Sequence, residues 1–121
     1  MSASPLRLPD FLDHILTAID RIEAYTAGLD HSGFVENSLV QDALIRNFEI
    51  IGEASKNIER TDPEFFASHP EIPFLFAYDM RNLLAHAYHK VDLGILWKTI
   101  KADLPDLKQK VTIARQTLPR S

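Results

Sequence analysis

The sequence has no cysteine, and this absence excludes a disulfide framework, a thiolate nucleophile and a cysteine-ligated zinc site. Only four of its 121 residues are glycine, and they form neither a glycine-rich phosphate loop nor a nucleophile elbow. No stretch approaches the roughly 18 consecutive apolar residues of a membrane helix, and Met1 to Asp10 lack the apolar centre of a signal peptide. We therefore expect a soluble, cytoplasmic protein without membrane contact.

Positive charge is also in short supply, because 13 lysines and arginines face 17 aspartates and glutamates, for a net charge of −4 at pH 7. The surface as a whole cannot attract a polyanion, so any contact with nucleic acid must come from a local basic patch. The five histidines show no ligand spacing with carboxylates, and His86 and His89 could chelate only weakly. We expect no metal site and no cofactor.

What the chain does contain is helical periodicity. After Pro9, apolar residues recur at spacings of three and four, which predicts an amphipathic helix ending near Gly28. The segment from Gly28 to Gly33 is predicted to be a polar turn. From Phe34 or Asn37 to Arg60 there is no proline and one glycine, so this should be the longest helix. The apolar row of the first helix consists of Leu12, Ile15, Ile19 and Ile22.

Prolines divide the second half of the chain. Thr61 to Glu64 predicts a short helix through Ala67, and Pro73 should begin a helix that runs to about Ala87. A last helix should follow from an Asp92 cap, with a kink or restart at Pro105. Because no segment has the period of a strand, we predict an all-α fold. It should be a single domain over residues 1–121, an antiparallel bundle of four long helices plus a short one.

Titratable and cationic side chains concentrate between Arg81 and Tyr88. On a helix these two residues share a face, while His86 lies about 140° round from Arg81, so all three can line one shallow groove. A guanidinium offers a fork for phosphate, and an imidazole exchanges protons near neutral pH. Asn82 could bind phosphate or stabilise the helix. Each residue also has a structural interpretation, as an ion-paired arginine, a hydrogen-bonded histidine or a packed tyrosine.

A stripe of charge runs along the predicted longest helix at spacings of four, three, four and three. It is interpreted either as a solvated face with favourable charge pairs or, more sharply, as a side from which Glu49 or Glu53 faces the groove and orients Arg81. The stripe consists of Asp42, Arg46, Glu49, Glu53 and Lys56.

Four residues separate Arg81 from His86, and one residue separates His86 from Tyr88. This spacing is similar to the R-x4-H-x-Y motif of HepT-like proteins of the HEPN superfamily. Other segments resemble the same family in the same order, so the likeness covers nearly the whole chain. Arg46 to Ala54 resembles its second-helix signature, Glu71 to Pro73 the approach to its motif helix, and Val91 to Pro105 its last helix.

The resemblance implies a toxin of a type VII-like toxin–antitoxin pair, a metal-independent endoribonuclease that dimerises so that two motif helices form one composite cleft. Carried over onto this chain, the resemblance makes Arg81 and His86 the catalytic pair on RNA. Asn82, Glu49 and Glu53 are the supporting candidates suggested by their positions along the predicted helices. The implied partner is a nucleotidyltransferase antitoxin that transfers AMP from ATP to Tyr88.

Two alternatives belong to other classes of protein. Asp79 occupies a position where relatives usually have glycine, and the segment from Phe74 to Tyr78 is unusually apolar. A carboxylate close to Arg81 could neutralise it, which would leave a catalytically weak helical module that binds a nucleotide or the partner. The third interpretation is a purely structural bundle with the motif buried in its own core.

Overall fold

The computed structural model describes residues 7–74 and 93–118, and these two ranges contain helices and no strand. The all-α prediction is therefore confirmed. The predicted helix from Pro73 to about Ala87 lies outside the described residues after Phe74, as does the Asp92 cap. The described elements are α1 Leu8–Thr26, α2 His31–Val35, α3 Ser38–Thr61, α4 Pro63–Ser68, α5 Leu93–Lys98, a π-helical turn Thr99–Asp103, and α6 Leu104–Gln116.

Helix α1 forms as predicted, with proline in its first turn and the Arg7 N–H donating to Asp10 Oδ2 at 2.9 Å. Its C-terminal end is set by Gly28, whose φ of +79° is a left-handed conformation that glycine adopts without strain. One face of α1 is buried along its whole length and packs against both α3 and α6. The buried apolar side chains of this face are Phe11, Leu12, Ile15, Ala18, Ile19 and Ile22.

The ion pairs between α6 and α1 show that the two helices are antiparallel. Residues late in α6 pair with residues early in α1, and residues early in α6 pair with residues late in α1. Arg115 Nε contacts Asp13 Oδ1 at 2.8 Å, while Lys108 Nζ contacts Glu23 Oε1 at 2.7 Å and Asp20 Oδ1 at 3.2 Å. Hydrogen bonds to Glu23 and then Asp20 raise the pKa of Lys108 above its usual value. These pairs fix the register of two helices that apolar burial holds together.

Helix α3 is the longest described helix, and its first turn is capped by Asn37, whose Oδ1 accepts from the Val40 N–H at 3.0 Å. Of the two predicted starting points, the cap selects the one at Asn37. Leu44, Phe48 and Ile51 are among its buried side chains.

The predicted polar turn from Gly28 to Gly33 is wrong in its second half, where α2 begins at His31. Asp30 Oδ1 accepts from the Gly33 N–H at 2.7 Å, so Asp30 is a helix cap. The end of this short helix is held to α3 by Gln41, whose Nε2 donates to the carbonyls of Phe34 and Val35, each at 2.9 Å.

Both predicted effects of proline on the described helices are found. Helix α4 begins at Pro63, is capped by Asp62 Oδ1 accepting from Phe65 N–H, and ends at Ser68, one residue later than predicted. Pro105 lies in the first turn of α6, and the chain restarts there through a π-helical turn. Proline lacks an N–H and its ring clashes with the carbonyl four residues back, and the wider turn accommodates both effects.

Within the described ranges, no helix combines the length and apolar character needed to cross a bilayer.

Replacing Ile19 by alanine should lower the free energy of unfolding by about 2–5 kcal/mol, because its side chain is fully buried and truncation leaves a cavity in the face that α1 presents to its neighbours. The matched control is Ile113→Ala on α6, where the side chain is 55% exposed and the change should stay within about 0.5 kcal/mol. Urea denaturation followed by circular dichroism measures both. Equal effects of the two substitutions would contradict this packing.

Candidate functional site

The predicted catalytic and modified residues Arg81, Asn82, His86 and Tyr88 lie outside the described residues, as does Asp79. The structure describes the chain up to Phe74 on one side of them and from Leu93 on the other. It also describes Glu49 and Glu53 on α3, the two residues predicted to support the motif. Among the described residues, no group of three histidine or acidic side chains could hold a metal ion.

The charged stripe of α3 lies on the side of the helix opposite its buried row, as expected at about 100° per residue. Arg46 Nη1 contacts Glu49 Oε2 at 3.7 Å, with 70% of the arginine side chain and 39% of the glutamate side chain exposed. Glu53 and Lys56 are exposed as well, and each has an interaction partner. These contacts agree with a solvated face carrying charge pairs. Orientation of Arg81 by Glu49 or Glu53 stays a prediction.

Asn47 is a polar residue of α3 to which the sequence analysis gave no role. It is only 5% exposed; its Nδ2 donates to the Ala43 carbonyl at 2.8 Å, while its buried Oδ1 accepts no hydrogen bond from the described residues. An unsatisfied buried acceptor costs on the order of 1–3 kcal/mol. The signal available in the sequence was an amide that precedes Phe48 and falls on the buried side of the helix, between Leu44 and Ile51.

The chain that leads into the motif is anchored by aromatic packing. Phe66 and Phe74 stack with ring centroids 5.4 Å apart, and the Phe74 N–H donates to the Ile72 carbonyl at 2.8 Å. Phe74 is only 2% exposed. The core therefore fixes the position of Phe74, the last described residue before the motif.

His69 lies beside this approach and makes local contacts. Its Nδ1 is 2.9 Å from the Phe65 carbonyl oxygen and its ring stacks on Phe65 with centroids 4.0 Å apart. A donor at Nδ1 satisfies that carbonyl near the end of α4, so the histidine has a structural role. It also lines a cavity of about 550 Å³ with Phe66, Ala67, Pro70, Ile72, Pro73 and Phe74, a lining that is mostly apolar.

The chain that leaves the motif is anchored by Trp97. Its ring stacks on Phe34 with centroids 5.2 Å apart and an interplanar angle of 28°, and Phe34 is fully buried. Trp97 is half-buried at the edge of the core, to which Phe48 also belongs. Lys101 Nζ lies 4.6 Å from the centre of the Trp97 ring. Both described flanks of positions 75–92 are thus held by stacked aromatic rings.

Comparison with known proteins identifies the class of molecule that carries this bundle. A family model described as "Ribonuclease HepT-like" matches residues 15–113, a span that contains the described helices from mid-α1 into α6 together with the whole motif. The chain therefore belongs to the HepT-like ribonuclease family, and through it to the HEPN superfamily. The resemblance found in the sequence is confirmed.

Individual relatives agree with this family. "Probable ribonuclease HepT" of Thermococcus cleftensis is 46% identical over 101 residues, which are 84% of this chain and 89% of that protein. A protein of Methanocaldococcus jannaschii named as a candidate RNase is 36% identical over 103 residues, covering 85% of this chain and 92% of its own.

A second protein of M. jannaschii, named as a gamma-glutamylcyclotransferase and candidate RNase, is 38% identical over 111 residues. The match covers 92% of this chain and 49% of that longer protein. No solved structure matches the chain significantly.

Replacing Glu49 by glutamine should change the free energy of unfolding by less than about 1 kcal/mol, because its ion pair with Arg46 is exposed and screened by solvent. Thermal or urea unfolding at low and high salt measures the change, with Glu36→Gln on the exposed end of α2 as the matched control. A loss well above 2 kcal/mol would contradict the solvated-face interpretation and point to a buried network around Glu49.

Proposed function

We propose that the protein is a metal-independent endoribonuclease and the toxin of a type VII-like toxin–antitoxin pair. The observation that carries the proposal is the family match over residues 15–113, which spans the motif and both of its anchored flanks. Arg81, His86 and Tyr88 stand in this span with the spacing of the family motif. The RNase names of relatives at 46% and 36% identity support RNA as the substrate.

The reaction follows from the chemistry of the two catalytic candidates. The 2′-hydroxyl of RNA attacks the adjacent phosphorus while His86 acts as general base or acid, and Arg81 stabilises charge that develops on the phosphorane. The new O2′–P bond replaces the P–O5′ bond, so the products are a 2′,3′-cyclic phosphate and a 5′-hydroxyl end. No step requires a metal ion.

A homodimer would complete this site. Two motif helices that meet in one cleft supply two histidines, so that one imidazole removes the proton from the 2′-hydroxyl and the other protonates the leaving 5′ oxygen. Asn82 would contact a phosphate oxygen or hold the helix, and Glu49 and Glu53 would orient Arg81 from α3. A single shallow groove would otherwise enclose RNA poorly.

Neutralisation would act on the same groove. The partner nucleotidyltransferase joins the Tyr88 hydroxyl oxygen to the α-phosphorus of ATP and releases pyrophosphate, which leaves AMP on the tyrosine. The added bulk and negative charge close to Arg81 would repel the phosphate of an incoming RNA. One covalent modification is then sufficient to silence the ribonuclease.

The purified protein should cleave RNA in the presence of EDTA, and His86→Ala should lower the rate by about 10²- to 10⁴-fold through loss of proton transfer. Arg81→Ala should lower it by about 10²- to 10³-fold through loss of charge stabilisation. A gel-based assay with end-labelled RNA measures both.

Matched controls are Arg21→Ala and His14→Ala, which remove the same side-chain types from exposed positions on α1 and should leave cleavage unchanged. Circular dichroism checks that every variant is folded. Cleavage by folded Arg81→Ala and His86→Ala at the rate of the controls would refute the assignment. Tight binding to a nucleotidyltransferase with no RNA cleavage by the unmodified protein would favour the catalytically weak binding module instead.

Incubation with the partner nucleotidyltransferase and ATP should add AMP to the wild-type chain and abolish its RNA cleavage, whereas Tyr88→Phe should remain unmodified. Intact-mass spectrometry reads the addition directly. Tyr25→Phe, which changes a tyrosine that is 42% exposed on α1, should be modified like the wild type. Modification of Tyr88→Phe, or loss of modification in Tyr25→Phe, would place the acceptor elsewhere.

A further inference from the structure

Several described cations of this acidic protein are neutralised by neighbouring carboxylates. Arg46, Lys108, Lys110 and Arg115 each form an ion pair with an aspartate or glutamate at 2.7 to 3.7 Å. Unlike those four, Lys98 and Lys101 form no ion pair with any described residue. Their positive charges lie three residues apart, Lys98 at the end of α5 and Lys101 in the π-helical turn that follows it.

Lys101 is nevertheless held in place. Its Nζ lies 4.6 Å from the centre of the Trp97 ring, a cation–π contact that orients an ammonium group without cancelling its charge. The ring is itself fixed by its stacking on the fully buried Phe34. A carboxylate partner would have held the lysine equally well but would have neutralised it. The arrangement therefore presents a positioned positive charge to solvent.

The neighbourhood of this charge contains one histidine and two carboxylates, and no ion pair joins either carboxylate to Lys101. The exposed His31 lies with its ring centroid 6.1 Å from that of Trp97. Asp30, next to it, accepts the Gly33 N–H at 2.7 Å as the cap of α2. Asp103, two residues after Lys101, forms no ion pair with it.

The surface formed by Lys98 and Lys101 also follows the motif closely in the sequence. Leu93 begins α5 five residues after Tyr88, and a rise of about 1.5 Å per residue places Lys98 and Lys101 about 7 to 12 Å beyond that start. Because the net charge is −4, RNA that reaches the motif needs a local positive surface beside it.

We infer that Lys101, held over Trp97, and Lys98, the residue after Trp97, contact the phosphate backbone of the RNA strand outside the catalytic motif. This inference rests on the proposed ribonuclease function. Trp97 does not stack on a base, since Phe34 covers one side of its ring and Lys101 lies over it. The contact is electrostatic, independent of base sequence and sensitive to salt.

The test measures binding of a fluorescein-labelled single-stranded RNA to the His86→Ala protein by anisotropy over a series of KCl concentrations. Adding Lys98→Gln and Lys101→Gln should reduce the slope of log affinity against log salt by about 1.4, since each lost phosphate contact on single strands contributes about 0.7. Adding Lys108→Gln and Lys110→Gln, which removes two ion-paired lysines, is the matched control and should leave the slope nearly unchanged. Lys101→Arg should retain the wild-type slope.

A second readout separates this inference from the proposed function. On otherwise wild-type protein, Lys98→Gln with Lys101→Gln should raise KM for a long RNA several-fold while leaving kcat/KM for a dinucleotide unchanged, because a dinucleotide bound at the motif is expected to be too short to reach the two lysines.

An unchanged salt slope in a folded double variant would overturn the inference even if cleavage is confirmed. Weaker binding of the nucleotidyltransferase with unchanged RNA binding would overturn it in favour of a protein partner. Absence of cleavage in every protein, with the slope reduced as expected, would refute the catalytic proposal and retain the RNA surface.

Discussion

The structure depends on the burial of one continuous apolar face of α1 against α3 and α6. Ile15, Ile19 and Ile22 are fully buried. Removing each of these side chains from water contributes on the order of 2 kcal/mol to the free energy of folding. The ion pairs of Arg115 and Lys108 with α1 then set direction and register, but exposed pairs of this kind contribute little energy. Burial makes the bundle stable, and charge decides how the helices are aligned.

A rigid bundle matters here because the proposed active site is a short motif between two fixed points. Phe74 before it and Trp97 after it are each packed on another aromatic ring. A guanidinium and an imidazole act on one phosphate only when their separation is held closely. The aromatic anchors belong to the core, so the same packing that stabilises the fold holds the described residues on either side of the motif.

Much of this fold could be predicted from the sequence, because its strongest signals are local. The period of the apolar residues predicts α1 and α3, and proline after a capping aspartate predicts α4. Helix α2 was missed because five residues are too few for a period, although the Asp30 cap was available as a signal. The π-helical form of the restart at Pro105 depends on how the last helix packs, which local sequence does not encode.

The features of the candidate site can also be separated into those that local sequence predicts and those that depend on tertiary packing. The motif from Arg81 to Tyr88 can be identified because its spacing and flanking segments resemble a family, and the match over residues 15–113 confirms that family. The buried Asn47 acceptor and the contact of Lys101 with Trp97 could not be predicted in this way. The contact of Lys101 with Trp97 depends on tertiary packing. The Asn47 acceptor is notable because no described residue donates to it, and neither condition is visible in a linear pattern.

The central claim is that this bundle supports metal-free attack by the 2′-hydroxyl of RNA. The most direct measurement uses an RNA with one cleavage position, compared with the same strand carrying a single 2′-deoxy nucleotide there, both in EDTA. We expect the RNA to yield a 2′,3′-cyclic phosphate end and the substituted strand to remain uncut at that position. Cleavage of the 2′-deoxy strand at a comparable rate would contradict attack by the 2′-hydroxyl.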